Sequence, residues 1–249
     1  MDARPESDRL ARLLIHVEGE TEETFVNEVL GPHLCSRGYI RVSARLMGNA
    51  RQRDRRGGIR PWSAVKEDIV THLRQDPQCL ASCMVDYYAL PQDGERAWPG
   101  RKAAGRLPFP QKAPTIQDAL LAEICDAMGK SFDSRRFVPY VMMHEFEALL
   151  FSDCERFAQG IGRPDLAPRF QQIRNTFETP EEIDDSPATA PSKRVQALVP
   201  GYEKPLMGTL AVLEIGLDAI RVQCPHFRGW LERLEASHRR TTATEGASS

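Results

Sequence analysis

The chain has 249 residues, 41% of them hydrophobic and 27% charged, which is typical of a globular protein with a substantial core. Its 33 basic and 35 acidic residues give a formal net charge of −2, which excludes the global positive field of many nucleic-acid-binding proteins. No run approaches the ~18 apolar residues of a membrane span, no signal-peptide pattern is present, and no CxxC pair occurs. We therefore expect a cytoplasmic protein with reduced thiols.

The first predicted strand covers residues 13–17 and is a short apolar run. Gly19 follows as a corner, Thr21 is a candidate N-cap, and apolar residues then recur at helical spacing. Glu18 thus ends a buried strand beside a helix N-terminus, where open α/β sheets bind ligands. A carboxylate in that place must be solvated, paired or bound to metal. Glu22 follows in the first helical turn, where it would also complement the helix dipole.

A second strand is predicted over residues 39–46, and an arginine-rich segment, residues 47–60, comes directly after it. Two interpretations of this segment are open: a solvated loop, or a loop that contacts phosphate through guanidinium groups. The arginines of the segment are Arg51, Arg53, Arg55, Arg56 and Arg60.

A helix is predicted over residues 61–74, and a third strand over residues 80–85 ends at Asp86. Asp86 repeats the pattern of Glu18, since a carboxylate again closes an apolar run. Residues 89–113 contain four prolines and three glycines, which predicts an irregular excursion. A helix should follow over residues 115–128, with Thr115 as its cap.

The fourth strand is predicted over residues 137–143 and leads into a helix that begins near Phe146. Glu145 and Glu147 lie at this junction. Because residues two apart point in opposite directions on a strand or helix, both can face one ion only if the junction bends. The alternative is that Glu147 is an ordinary exposed helix residue.

The C-terminal part is predicted to be mostly helical. Residues 177–191 form a loop, Ser192 caps a short helix with Lys193 and Arg194, and helices cover residues 206–220 and 227–234. A surface position is the default for Lys193 and Arg194, and phosphate contact is the alternative. These patterns predict an α/β core over residues 10–151, a helical extension packed on it over residues 152–236, and a disordered tail over residues 237–249.

Four segments together resemble a known fold family. They are Val17-Glu18-Gly19-Glu20-Thr21-Glu22, Asp86-Tyr87-Tyr88, His144-Glu145-Phe146-Glu147-Ala148-Leu149-Leu150-Phe151 and Pro191-Ser192-Lys193-Arg194. The first resembles the opening motif of TOPRIM domains, the metal-dependent fold of topoisomerases, primases and the overcoming-lysogenization-defect (OLD) nucleases. All four, in this order, resemble a bacterial TOPRIM-like family known as domain of unknown function 4276. The resemblance implies a mainly parallel, four-stranded TOPRIM-like sheet flanked by helices, with a helical C-terminal extension.

The resemblance also implies roles for two acids. It assigns general acid/base work to Glu18 and metal binding to Asp86, and these two residues are the catalytic candidates. TOPRIM domains usually carry Asp-x-Asp at the second position, whereas this chain has Asp86-Tyr87-Tyr88. Either another carboxylate replaces the second aspartate, or the site is weakened or inactive.

Acids at three strand ends would repel one another in a cleft unless a divalent cation neutralised them. Oxygen ligands favour Mg²⁺ or Mn²⁺. From the positions of the acids and the family resemblance, the candidate metal ligands are Glu18, Glu22, Asp86, Glu145 and Glu147.

Two functions remain open from the sequence. The first is a metal-dependent nuclease that acts on DNA or RNA, an effector of bacterial antiphage defence that works with a separate ATPase subunit, as TOPRIM-like relatives imply. The second is a catalytically degenerate TOPRIM-like module that binds an ATPase partner or nucleic acid. A weaker third is phosphoryl transfer to a small molecule. The nucleic-acid candidates are the five arginines of residues 47–60 together with Lys193 and Arg194.

Overall fold

The computed structural model describes residues 12–47, 58–183 and 189–237, and the described part is built on a four-stranded sheet. The strands are β1 (Arg12–Val17), β2 (Arg41–Leu46), β3 (Cys79–Asp86) and β4 (Phe137–Met142). They lie in the order β2-β1-β3-β4, and every neighbouring pair is parallel. The α/β class and the parallel sheet flanked by helices are confirmed, and each predicted strand lies within two residues of its observed bounds.

Helices connect the strands and make up the C-terminal part. They are α1 (Glu20–Thr24), α2 (Gly31–Ser36), α3 (Trp62–Gln75), α4 (Arg101–Ala104), α5 (Phe109–Met128), α6 (Glu147–Leu150), α7 (Cys154–Gly160), α8 (Ala167–Arg174), α9 (Pro191–Leu198), α10 (Thr209–Gln223) and α11 (Pro225–Ser237). The π-helical turns Phe25–Leu30 and Lys204–Gly208 run directly into α2 and α10. None of these helices is long and apolar enough to cross a membrane.

The sheet is covered on both faces, which explains why its strands are apolar runs rather than alternating ones. All of β4, and β3 up to Val85, is buried. On one face, Leu13, Ile15 and Tyr140 belong to a core that also contains residues of α10 and α11. On the other face, Ala81, Cys83 and Val141 pack with residues of α3 and α5.

The C-terminal helices share the first of these cores with β1 and β4. The indole of Trp230 on α11 stacks on Tyr140 of β4, with ring centroids 4.7 Å apart. Its Nε1 donates a hydrogen bond to Ser82 Oγ on β3 over 3.1 Å. Burial of such aromatic pairs stabilises the contact by roughly 0.5–1.5 kcal/mol beyond the area buried. The helical extension is therefore packed directly on the sheet, and the boundary at residue 151 stays a prediction.

Three local expectations were wrong. Helix α1 begins at Glu20, so the N-cap is Gly19 rather than Thr21. Helix α5 begins at Phe109, six residues before the expected cap Thr115, whose hydroxyl instead donates to the carbonyl of Gln111 within the helix. Helix α9 begins at Pro191, so Ser192 lies inside it and Ala190 is the N-cap.

Other expectations fall on residues outside the described ranges. They include the tail beyond residue 237 and Arg51, Arg53, Arg55 and Arg56, which lie in residues 48–57.

Candidate active site

Three acids meet at the carboxyl edge of the sheet because their strands are parallel neighbours. Glu18 follows β1, Asp86 ends β3 and Glu145 lies three residues after β4. The register pairs Val17 with Met84 and Asp86 with Met142, so the strands end at nearly the same level. The backbone of Asp86 hydrogen-bonds the Glu18 carboxylate, and the charge of Glu18 raises the pKa of Asp86, so both carboxyl groups belong to one cluster.

The bend after β4 that the Glu145–Glu147 pair requires is present at His144. This residue has φ = +68°, and it is the one non-glycine residue with positive φ among those described. Such a conformation is uncommon for residues other than glycine, although histidine adopts it more often than most, and it changes the chain direction within one residue. Glu145 and Glu147 consequently both lie within 4 Å of the ammonium group of Lys204. Glu147 is 4% exposed, so its interpretation as an exposed helix residue is wrong.

Glu22 points into the same cluster from α1. It is 6% exposed, and a Cβ atom built on Gly19 would lie 2.8 Å from its Oε2. Gly19 has φ = −134°, which any residue can adopt. A side chain at position 19 would therefore displace the Glu22 carboxylate, so glycine here leaves room for that carboxylate rather than supplying a backbone angle that other residues cannot adopt.

Lys204 is the positive charge of this cluster, and the sequence carried no signal for it. Its Nζ lies 3.0 Å from Oε2 of Glu147, to which it donates a hydrogen bond, and 3.7 Å from Oε1 of Glu145. The backbone of Lys204 is attached to α1, since its carbonyl accepts a hydrogen bond from Thr21 Oγ1 over 3.3 Å. We define the acid cluster as Glu18, Glu22, Asp86, Glu145 and Glu147 together with Lys204.

Burial dominates the electrostatics of the acid cluster. It raises the pKa of Glu18, Glu22, Asp86 and Glu147 above their ordinary values, and repulsion between neighbouring carboxylates adds to the shift. Lys204 opposes that shift in all four. For Lys204 itself, burial lowers the pKa, but the attraction of Glu147, Glu145 and Asp86 outweighs it and the net shift is upward.

Several polar atoms of the cluster lack a partner. Glu18 Oε2, Asp86 Oδ1 and the hydroxyl of Tyr202 are buried and have no hydrogen-bond partner among the described residues. Such groups cost roughly 1–3 kcal/mol each unless something binds them. Glu147 and Glu145 both act on the Tyr202 hydroxyl electrostatically, so it belongs to the same region.

These donors are suited to a hard divalent cation, because Mg²⁺ and Mn²⁺ prefer carboxylate oxygens. In the present side-chain arrangement, no three histidine, cysteine, aspartate or glutamate side chains in the described ranges converge closely enough to hold a metal ion. The oxygens without partners on Glu18 and Asp86 fit the requirement for metal ligands, whereas Glu145 and Glu147 are engaged by Lys204.

The predicted phosphate-contacting residues of the C-terminal part lie beside Glu145. Ser192 donates its backbone N–H to Oε2 of Glu145 over 2.9 Å, which attaches the start of α9 to the acid cluster. Lys193 is exposed and donates to Gln196, and Arg194 donates to the carbonyl of Thr189 and lies over the ring of Phe177.

The two ends of the arginine-rich segment are hydrogen-bonded to the end of β1. Met47 N–H donates to the carbonyl of Val17, and Gly58 N–H donates to the carbonyl of Glu18, both over 2.9 Å. Met47 and Gly58, the described residues on either side of residues 48–57, therefore both lie beside the end of β1. Arg60 pairs with Asp68 at 2.8 Å and is partly exposed.

Comparisons with known proteins supply a family and a fold likeness. A family model described as "Domain of unknown function (DUF4276)" matches residues 17–235. No curated protein matches the chain. Two solved structures of the C-terminal region of the Xanthomonas campestris pv. campestris OLD protein, one phased with mercury and one with iodine, are similar to it. They are 14% and 13% identical, with TM-scores of 0.46 and 0.42, over 95% and 94% of this chain and 98% of each of those chains.

Proposed function

This chain belongs to the DUF4276 family, a domain of unknown function, and on that premise we propose that it is a metal-dependent phosphodiesterase that cleaves nucleic acid. The observation that carries the proposal is the acid cluster. Five carboxylates near one edge of the sheet influence one another electrostatically, and two of them present buried oxygens without partners among the described residues. A purely structural cluster would have paired those oxygens.

The donor set would hold Mg²⁺ or Mn²⁺ through Glu18, Glu22, Asp86, Glu145 and Glu147. When bound, such a cation supplies charge stabilisation for a phosphodiester and lowers the pKa of its bound water. Glu18 accepts a proton, because burial raises its pKa toward the neutral range in which a general base works best. Asp86 and the remaining acids hold the charge, and Gly19 leaves the room that Glu22 needs to join them.

Basic side chains are proposed to hold the phosphate backbone. Arg51, Arg53, Arg55 and Arg56 lie in the sequence between Met47 and Gly58, whose backbone N–H groups donate to the carbonyls of Val17 and Glu18. Arg60, Lys193 and Arg194 are partly or fully exposed, and Ser192, which precedes Lys193, donates its N–H to Glu145. Guanidinium groups bind phosphate oxygens in a bidentate way, so this surface is suited to nucleic acid although the net charge of the chain is −2.

A second function is favoured by Lys204. Its ammonium already neutralises Glu147 and Glu145, and tyrosine occupies position 88, where TOPRIM domains usually carry a second aspartate. A chain with this arrangement could be a catalytically degenerate module that binds nucleic acid or an ATPase subunit. The role of an antiphage effector working with such a subunit belongs to the first proposal, and its support is the motif resemblance.

The test uses the purified full chain with labelled plasmid, single-stranded DNA and tRNA, with Mn²⁺ and with EDTA. We expect Mn²⁺-dependent cleavage of at least one substrate. Glu18→Gln should lower turnover by roughly 10²–10⁴-fold while substrate binding is nearly retained, because it keeps the shape and removes the base. Glu28→Gln, at an exposed acid on the helical stretch that follows Glu18, is the matched control. Binding without cleavage under all these conditions would favour the degenerate module.

A further inference from the structure

An aromatic cluster adjoins the acid cluster at the same edge of the sheet. The ring of His144 lies 5.3 Å from the ring of Tyr88 and 6.0 Å from that of Phe109, and it is stacked on the latter with an interplanar angle of 26°. Tyr87 closes the group, at 5.8 Å from Tyr88 and 6.4 Å from His144 in edge-on contact. We refer to Tyr87, Tyr88, Phe109 and His144 as the aromatic cluster.

The chain itself determines how near this cluster is to the acids. Tyr88 follows Asp86 by two residues, so their Cα atoms are separated by no more than about 7.6 Å. His144 directly precedes Glu145. The two segments are connected by a hydrogen bond from Tyr88 N–H to the carbonyl of His144 over 3.4 Å. A nucleotide whose phosphate lay at the acid cluster would thus have its base within reach of these rings.

The four rings differ in exposure. His144 and Tyr87 are buried, at 1% and 3%, and form the base of the cluster. Tyr88 and Phe109 are only partly buried, so both side chains are partly accessible to solvent. Partly exposed aromatic rings beside a charged cleft are the arrangement with which proteins bind single-stranded nucleic acid, since every base has a π-face.

Two cations border the same rings. The guanidinium of Arg101 lies 3.9 Å from the centroid of the Tyr87 ring and donates to the hydroxyl and the carbonyl of Tyr87. The Nζ of Lys112 lies 5.6 Å from the same centroid. Within the described residues, neither cation forms an ion pair with an acid, so neither charge is neutralised by a carboxylate.

We propose that Tyr88 and Phe109 stack an unpaired nucleobase, with Lys112 close to the backbone of the same strand, so that the substrate class is single-stranded or locally unpaired nucleic acid. This inference rests on the proposed function, since it places the phosphate at the acid cluster. Bases inside a duplex have both faces covered by their neighbours and must leave the stack before a protein ring can reach them. The aromatic side chain at position 88 then has a positive role, rather than being only the loss of an aspartate.

Binding measurements can separate the contribution of base stacking to affinity from the contribution of charge. Fluorescence anisotropy in Ca²⁺ would compare a labelled oligothymidine, the same length of abasic strand and a blunt duplex, with oligonucleotide integrity checked by electrophoresis. We expect the oligothymidine to bind more tightly than the other two. Tyr88→Leu and Phe109→Leu should each weaken its binding by roughly 5- to 150-fold, while abasic binding is unchanged.

Two further variants control for folding. Tyr88→Phe keeps the ring and should retain affinity within about 2-fold. Phe132→Leu makes the same chemical change as Phe109→Leu at a partly buried ring that precedes β4, at the opposite edge of the sheet, and should have no effect. The inference is overturned if duplex binds as tightly as the single strand, if Tyr88→Leu leaves oligothymidine binding unchanged, or if that variant weakens abasic binding equally.

The experiments distinguish a failure of this stacking site from a failure of the proposed phosphodiesterase function. If the oligothymidine binds with the expected ring dependence but Mn²⁺ supports no cleavage, the phosphodiesterase proposal fails and the stacking site stands. If Mn²⁺ supports cleavage of duplex and Tyr88→Leu cleaves as well as the unaltered chain, the stacking site fails and the phosphodiesterase stands.

Discussion

The Nζ atom of Lys204 lies 3.0 Å from Oε2 of Glu147, although 57 residues separate them in the chain. The contact joins the turn before α10 to the first residue of α6, and a second acid, Glu145, is 3.7 Å from the same ammonium. A buried carboxylate group that lacked this cation would be held together only by protonation or by a bound metal ion. Lys204 therefore decides how much charge remains for a divalent cation to neutralise.

Replacing Lys204 tests whether the ammonium and a metal ion compete. Without metal, Lys204→Met should lower the free energy of unfolding by about 1–3 kcal/mol, because the acids lose their counter-charge while the half-exposed lysine limits the cost. Mn²⁺ should raise the melting temperature of this variant more than that of the unaltered chain, since like-charge repulsion with the ammonium is removed. Thermal unfolding with and without Mn²⁺ measures both effects.

Lys193→Met is the matched control for that experiment, because Lys193 is exposed and its ammonium donates a hydrogen bond to the neutral side chain of Gln196. An equal Mn²⁺ shift in Lys204→Met and in the unaltered chain would mean that the cation binds away from Lys204.

Most of the metal-binding affinity should come from Glu18 and Asp86, whose buried oxygens have no hydrogen-bond partner among the described residues. Isothermal titration with Mn²⁺ is expected to detect binding to the unaltered chain, and the double change Glu18→Gln with Asp86→Asn should weaken it by at least about 10-fold. The reason is that both substitutions retain the shape of the side chain but remove an anionic oxygen that has no other partner. Unchanged affinity in the double variant would place the metal elsewhere.

Position 88 tests whether another acid has replaced the second aspartate of the motif. If Glu147 serves in that role, Glu147→Gln should reduce Mn²⁺-dependent cleavage as much as Asp86→Asn does. Tyr88→Asp should then add little, because the charge is already supplied. Initial cleavage rates at two Mn²⁺ concentrations measure this, and Asp86→Asn should be partly rescued at the higher one. If activity appears only in Tyr88→Asp, the native chain is a degenerate module.

Glu181 predicts a pH dependence of stability away from the acid cluster. Burial raises its pKa to about 7, despite hydrogen bonds from the backbone N–H groups of His226 and Phe227 at the start of α11. With an unfolded value of 4.5, the folded state binds more protons between these two pH values, so the free energy of unfolding falls as the pH rises through that window. The loss is about 3 kcal/mol at most.

Urea denaturation at pH 5 and pH 8 measures this loss. Glu181→Gln cannot ionise, so the decrease between the two pH values should be smaller in this variant than in the unaltered chain. Glu232→Gln, an exposed acid on α11, should leave the difference unchanged. A decrease of equal size in all three proteins would assign the pH dependence to other groups.

Two glycines of the C-terminal helices should respond in opposite directions to alanine. A Cβ atom at Gly160 would lie 2.7 Å from the Cα of Ala211, so α7 and α10 would have to separate. Gly160→Ala should therefore lower the free energy of unfolding by about 1–3 kcal/mol. At Gly229 on α11 a Cβ would meet nothing within 4 Å, and Gly229→Ala should raise it by about 0.5–1 kcal/mol through helix propensity. Chemical denaturation of both variants is the measurement, and destabilisation by both would contradict the packing argument.

The strands and the acids at their ends were predictable because both depend on short stretches of sequence. An apolar run of five to eight residues indicates a strand covered on both faces, and parallel strands bring their carboxyl ends to one edge. Glu18, Asp86 and Glu145 could therefore be placed together before any coordinates were known. Helix starts were less predictable: Thr21 and Thr115 have the side chains of N-caps, but the helices begin before them, at Glu20 and Phe109, and neither helix has a side-chain cap.

Lys204 and the exposure of Tyr88 and Phe109 were decided by the tertiary structure alone. Lys204 stands between a glutamate and a proline in a segment with no distinguishing pattern, and its position against Glu147 depends on how the C-terminal helices pack on the sheet. Phe109 contacts His144 because the segment between β3 and α5 brings the start of α5 back to the edge of the sheet where β4 ends. Contacts between residues far apart in the chain arise from the packing of whole elements, and no local periodicity records which side chains that packing brings together.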